Sequence, residues 1–561
     1  MSKTFRFALL SAGILMLASC KNMEMSKDYF TVNPEVLEAV GGEVPYTVTG
    51  TFPAKFFPKN VVCTAIPELR WEGGSVKGAP VTLQGEKVQG NNKVVSYKNG
   101  GTFTYNGNFK YQPEMAKSEL YVTFEATKKG KPFELAAVKI ADGVIATSEL
   151  YSETAKGANT AESKDAFQRI IKDVKDANIM FIIQQANVRA SETKSDAVKE
   201  LVNALKEFTA DTKHYAVDNI EISAYASPDG GVKLNDKLAA QREKNAAQYA
   251  KGEVKKAKAD AAIESKYTAQ DWEGFKELVE QSNLQDKNLI LRVLSMYDDP
   301  EKREAEIKNL SAVYKDLASD ILPQLRRARL ALNYQIIGRS DDEIKEAYKS
   351  DASVLSVEEL LYAATLTEDK AEKKAIYTTV TRNYPNDYRA FNNLGEIAFK
   401  DGDLATAESN FKKALALNAS APEVNTNMGL LCLAQNKAAD AQTYLAKGGQ
   451  AKEAQEALGN MYIAQGQYER ALTALKGSNT NAEALAMIMT KDYSGAKKVL
   501  AAVKNADANT AYLAAIAAAR TNDAAAVAQN LKKAVSLDSS LKDKILKDLE
   551  FAKYQDAVKA L

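Results

Sequence analysis

Residues whose types and spacing could do chemistry gather between Asn219 and Ala250 of this 561-residue chain. Ile220 and Ile222 alternate with Glu221 and Ser223, the period of a half-buried strand, and Pro228-Asp229-Gly230-Gly231 then turns the chain. Asn235 can cap the helix that follows, on which Leu238, Arg242, Ala246 and Tyr249 share one stripe. A strand, a tight loop and a helix N-terminus offer free backbone N–H donors, and an arginine one to two turns in adds a charge. Together they make a seat for a carboxylate. The same residues also describe an ordinary strand-to-helix connection with a solvated arginine.

Tyr225, Gly230, Asn235, Leu238 and Arg242, spaced in that order, resemble the signature of the OmpA-like, peptidoglycan-associating domain. The resemblance implies an α/β fold in which Arg242 holds the free carboxylate of a peptide stem and Asn235 opens the helix. Two residues after the tyrosine, where that family has an aspartate, this chain has Ser227. Half of the charged clamp on a diamino acid is then missing, and Asp229 replaces it only in a reshaped loop. The resemblance carries the fold further than it carries the ligand.

The elements that must position this loop are legible around it. Ile179-Met180-Phe181-Ile182-Ile183 is dense enough for a buried strand, and Asp196 to Phe208 puts Val198, Leu201, Val202, Leu205 and Phe208 on one helical face. Ile263 to Tyr267 suits a third strand and Ala328 to Ile336 a last one, opened by Arg326-Arg327, a pair the family resembles there. Between them Asp271 to Leu317 reads as helix, longer than the family's usual element. This helical insertion moves the domain, residues 164–340, toward protein contacts and makes peptidoglycan a weak ligand.

From residue 341 to 561 the chain is helical and repetitive. Phe391, Gly395, Ala407, Phe411 and Ala414 are spaced as in the tetratricopeptide repeat, which this stretch resembles. Asn425, Gly429, Ala441 and Leu445 restate the frame, then Gly459, Tyr462, Ala471 and Leu475; Leu361, Tyr377 and Pro385 fit an earlier copy, and about five or six repeats are expected. Such a solenoid has a concave groove suited to an extended peptide. Asn392, Asn393, Glu396, Asn425 and Asn427 would line it, the asparagines pairing with a peptide backbone whatever its sequence; they also suit a solvated helix face.

Residues 28–151 read as β: Val44 to Thr49, Lys93 to Tyr97 and Leu120 to Ala126 are rich in β-branched and aromatic residues, and Gly41-Gly42, Gly73-Gly74 and Gly100-Gly101 punctuate them. Short strands with frequent turns predict a sandwich-like module of one or two units. Small, polar residues 152–163 predict a linker. At the start, Lys3 and Arg6 precede the apolar run Phe7 to Leu17, and Leu17-Ala18-Ser19-Cys20 resembles a bacterial lipobox. That resemblance implies a signal peptide over residues 1–19, an acylated Cys20 and a tether over residues 20–27. The chain also resembles envelope lipoproteins of the Bacteroides type. The segment after Cys20 has one acid and two lysines, which favours the periplasmic face over surface display.

The charge balance, 74 Lys plus Arg against 73 Asp plus Glu, gives no field to draw nucleic acid. A single histidine, His214, excludes a multi-histidine metal centre, and no nucleophile with a base, phosphate loop or carboxylate pair stands out. Neither enzyme chemistry, nor a metal, nor a cofactor is expected. Cys63 and Cys432 fall in different domains, which makes a disulfide between them unexpected. The sequence thus predicts a multidomain, lipid-anchored outer-membrane scaffold or adaptor that binds envelope proteins through its solenoid. The alternative is a lipoprotein that links the outer membrane to peptidoglycan through the OmpA-like domain.

Overall fold

The computed structural model describes residues 23–561, apart from the side chains of residues 311–313. The expected signal peptide and Cys20 lie outside the described residues. The chain forms two compact units: one runs to Lys164 and resumes at Thr367–Leu561, and the other is Asp165–Leu366.

In the first unit the β region is one module. A three-stranded sheet (Phe30–Asn33, Glu43–Phe52, Gly101–Lys110) faces an eight-stranded one whose centre is Ser118–Lys128 paired with Val61–Trp71. Along Glu43–Phe52 alternate residues turn inward, so Val44, Tyr46, Val48 and Phe52 meet Leu69, Leu83 and Leu120 of the other sheet in a single core. Met23 and Met25 are buried in that core. The tether over residues 20–27 is therefore corrected from Met23 onward, where side chains are anchored by apolar burial. Trp71 packs at the core's edge, as a structural aromatic should.

After Lys370–Asn383, five helix pairs follow among the described residues: Tyr388–Lys400 with Leu404–Leu417, Pro422–Ala434 with Ala438–Gly448, Ala454–Ala464 with Tyr468–Leu475, Asn481–Met489 with Tyr493–Ala502, and Ala508–Arg520 with Ala524–Leu537. The crossing of each of the first three pairs is set by a glycine. A Cβ at Gly395, Gly429 or Gly459 would fall within 2.5 Å of Phe411, Leu445 or Leu475 respectively. The spacing read from the sequence is this contact, repeated along an array of paired helices.

The second unit has the expected strand–helix order. Its four-stranded sheet runs Ile170–Met180, Arg327–Ile337, Tyr215–Tyr225, Ala262–Thr268, with the last two parallel and the other neighbours antiparallel. Helices Asp196–Ala210 and Val232–Ala257 cover one face, over Ile220, Ile222, Leu330 and Leu332. Three differences from the sequence reading stand out. Ile182 and Ile183 are not strand but exposed residues beyond it, 41% and 52% accessible. The helices within Asp271 to Leu317 carry a core of their own, built on Phe275, Val279, Ile290 and Leu317. Helices Asp341–Asp351 and Val357–Ala363 also belong to this unit, so the solenoid begins after residue 366 and not at 341. His214 is exposed beside Asp211, and Cys63 and Cys432 are buried free thiols.

Candidate functional site

The groove of the solenoid is where the expected chemistry is found, and it is occupied by the chain's own residues 147–164. Instead of a linker, this segment is a short helix, Tyr151–Lys156, followed by an extended strap. Ala155, Ala158, Ala161 and Ser163 are 0 to 5% exposed. Their small side chains, which suggested a solvated linker, are what lets a backbone lie against a helical wall.

Asparagines hold that backbone. Asn427 accepts from the Ala161 amide at 2.7 Å and donates to the Ala161 carbonyl at 2.8 Å; Asn392 donates to the same carbonyl at 2.9 Å. Two residues on, Asn393 accepts from the Ser163 amide and donates to its carbonyl, both at 2.9 Å. Asn393 and Asn427 occupy the same repeat position, two residues before Gly395 and Gly429. Buried backbone polar groups must be paired, and a side-chain amide supplies one donor and one acceptor in the geometry of a strand. The amides are themselves ordered, Asn427 donating to Asn392 at 2.9 Å and Asn392 to Asn393 at 3.2 Å.

Of the expected groove residues, Asn392, Asn393 and Asn427 bond the backbone of this chain's own strap. Glu396 is buried and bonded to Lys400. Asn425 is corrected: it donates to Ala419 and Ala421 at the entry of its helix, away from the strap. Sequence reasoning missed Asn460, which accepts from Thr154 at 2.6 Å, Glu456, which accepts from the Asn159 amide at 3.1 Å, and Tyr377, which donates to Glu162 at 2.8 Å. Asn460 directly follows Gly459 on the first helix of its pair, a signal that could have found it.

The β module is fastened to the same array. Arg520 donates to Glu550 and, at 2.6 Å, to Glu38 of the β module, while Thr147 donates to Glu550. Burial pushes the Glu550 carboxyl up, opposed by the Arg520 guanidinium. Ser148 donates to the Ala39 carbonyl at 2.8 Å.

In the second unit the loop seat is closed. Arg242 is 1% exposed, and its guanidinium donates to the carbonyls of Tyr225 at 2.8 Å, Gln185 at 3.0 Å and Ile182 at 3.3 Å. Burial, with the Arg326 charge second, lowers its pKa to about 10. The expectation that it grips a carboxylate is corrected: its donors tie the end of strand Tyr215–Tyr225 to the segment that follows strand Ile170–Met180. Asn235 is not the helix cap either. The helix starts at Val232 behind Gly231, and the Asn235 amide donates back to Ser227 and Gly230 at 2.9 and 2.7 Å, fixing the loop. Ser227 donates to Asp229, and Arg326 bridges the two, at 3.2 Å to Ser227 and 3.1 Å to Asp229. Helices of the insertion close over this loop, where Pro228 and Asp229 face Trp272, Tyr314 and Leu317 across about 10 Å³, the space of one water. Arg327 pairs with Asp271 at 3.0 Å.

No protein-family model matches the sequence, and no curated protein matches it. Among solved structures, the chain is similar to a tetratricopeptide repeat protein from Parabacteroides merdae, at 16% identity over 35% of this chain and 85% of that one, TM-score 0.28. It is similar to YrrB, a tetratricopeptide protein described as having an unusual peptide-binding site, at 19% identity over 29% and 92%, TM-score 0.22. It is also similar to PilF of Pseudomonas aeruginosa, at 18% identity over 39% and 99%, TM-score 0.26.

Proposed function

We propose that this chain is a lipid-anchored scaffold of the outer membrane, tethered through Cys20 on the periplasmic face and acting in assembly of envelope proteins without catalysis of its own. The observation that carries the scaffold reading is the asparagine-held strap. The groove holds a backbone through side-chain amides, with Glu456 and Tyr377 adding further hydrogen bonds to the strap, which is chemistry for holding a chain. Because the strap fills the groove, protein partners meet other surfaces of the chain. Linkage to peptidoglycan is the weaker reading: Arg242 is committed to carbonyls and Asp229 to Arg326.

In vivo cross-linking followed by affinity capture from the envelope tests the scaffold: envelope proteins should be recovered, and recovery of none refutes it. Fractionation of Cys20→Ala tests the anchor, since no described helix is long and apolar enough to cross a membrane. Retention of the variant in washed membranes refutes lipid anchoring at that residue. A sacculus pull-down with strong binding lost in Asp229→Ala would restore the peptidoglycan reading.

A further inference from the structure

The strand Ile170–Met180 is the edge of the four-stranded sheet, and among the described residues no strand pairs with its outer side. Ile170, Ile171 and Val174 are 55, 46 and 44% exposed. Phe181 continues the ladder by donating to the Arg326 carbonyl at 2.7 Å, so odd-numbered residues turn their backbone groups inward and even-numbered ones turn theirs outward. The Val174 amide accordingly meets its neighbour's carboxylate, Asp173, at 2.8 Å, and the Met180 amide meets Glu192 at 3.3 Å. An edge of this length carrying exposed β-branched residues invites another strand.

The sequence of the edge names that strand. We propose that two copies of this chain pair antiparallel along Ile170–Met180 about a two-fold axis at Val174, joining two four-stranded sheets into one of eight. In this register Lys172 faces Asp176 of the second copy, Asp173 faces its Lys175, and Ile171 faces its Ala177. Even residues oppose even residues, so outward amides and carbonyls meet outward carbonyls and amides. Opposite charges directly across a ladder stabilise it and like charges oppose it. The flanking registers are excluded on that ground: a slip one way sets Asp173 against its own copy, and a slip the other way sets Lys175 against its own copy. The lysines that guard this edge against indiscriminate pairing therefore admit a strand that offers aspartates in the reverse order, and the chain itself is one. Asp176 pairs with Arg329 at 2.7 Å, Lys175 lies 3.6 Å from Glu200, and Asp173 accepts from the Val174 amide and the Tyr334 hydroxyl, both at 2.8 Å, so the pairs across the two copies form in exchange for these contacts.

This inference is independent of the scaffold reading, and sedimentation velocity of the full chain carrying Cys20→Ala tests it. A concentration-dependent dimer is expected. Val174→Pro removes an amide that faces outward, leaving the inner ladder intact, and should raise the dimer dissociation constant at least tenfold. Lys175→Asp should weaken the dimer likewise, and Asp173→Lys added to Lys175→Asp should restore it. Val174→Cys should be joined to its own copy by a short bis-maleimide, whereas Ile183→Cys should not. A chain that stays monomeric at every soluble concentration overturns the proposal, as does a dimer indifferent to Val174→Pro and to the charge swap. A monomer that loses capture of another protein on Val174→Pro overturns it too, in favour of a foreign strand at this edge.

Discussion

Replacing Asn393 by alanine isolates the force that holds the strap. The substitution removes the acceptor of the Ser163 amide and the donor to its carbonyl, both at 2.9 Å, from a residue that is 2% exposed. An orphaned buried polar group costs about 1–3 kcal/mol; the Ser163 amide and carbonyl both lose their partner, and the Asn392 amide loses one of its two acceptors. Water can enter the vacated space and recover part of this, which leaves an expected loss of about 2 kcal/mol in local stability. Every 1.4 kcal/mol is tenfold, so the opening equilibrium of the strap should rise about thirtyfold. Hydrogen exchange of the peptide spanning residues 158–164 reads that opening directly, without requiring the whole chain to unfold in one step. Asn410→Ala, on an exposed helical face and bonded to Thr406 of its own helix, is the control and should change exchange little. If Asn393→Ala leaves exchange in residues 158–164 unaltered, the asparagines do not hold the strap and the scaffold reading loses its basis.

Other expectations follow from single contacts. Gly429→Ala would place a Cβ 2.4 Å from Leu445 and should lower the melting temperature of the solenoid, at a cost of about 1–3 kcal/mol. Arg242→Met should destabilise the α/β unit by at least about 3 kcal/mol in urea unfolding, because three carbonyls lose their donor. Arg242→Lys should not rescue it, since one ammonium cannot reproduce the planar fork. Deletion of Thr367–Leu561 should expose the strap to protease, which a digest of the truncated chain would show as cleavage within residues 152–164. Burial raises the Asp271 carboxyl, so the folded state takes up its proton more readily than the unfolded one. That group's contribution is then greatest at acid pH and declines as pH rises through the folded pKa. Asp271→Asn retains an acceptor for the Gly274 amide, and its thermal stability relative to the parent should improve between pH 4 and pH 7.

What could be read from the sequence depended on whether a signal was local. Gly395, Gly429 and Gly459 announced the helix crossings because a glycine and its large partner lie on neighbouring helices of one repeat. The alternation around Ile220 and Ile222 marks the strand Tyr215–Tyr225 and the stripe of Leu238, Arg242 and Ala246 marks the helix after it, but not that helix's start at Val232. Residues 152–163 were not legible, since small polar composition suits both a solvated linker and a backbone pressed against a wall. The two are told apart only by what lies some 230 to 300 residues further on. The asparagine pair can hold a backbone on its residue types alone, but those types do not say whose backbone it is, and here it is the chain's own. Arg242 failed in the opposite sense: its place in the motif was correct, but a spacing pattern cannot say whether a guanidinium faces a ligand or three carbonyls of its own fold. In both places a group able to bind something outside is satisfied from within. A buried donor is costly to leave unpaired, so a chain that closes such a site on itself gains rigidity there and leaves association to surfaces whose polar groups still face water. The outer side of Ile170–Met180 is such a surface.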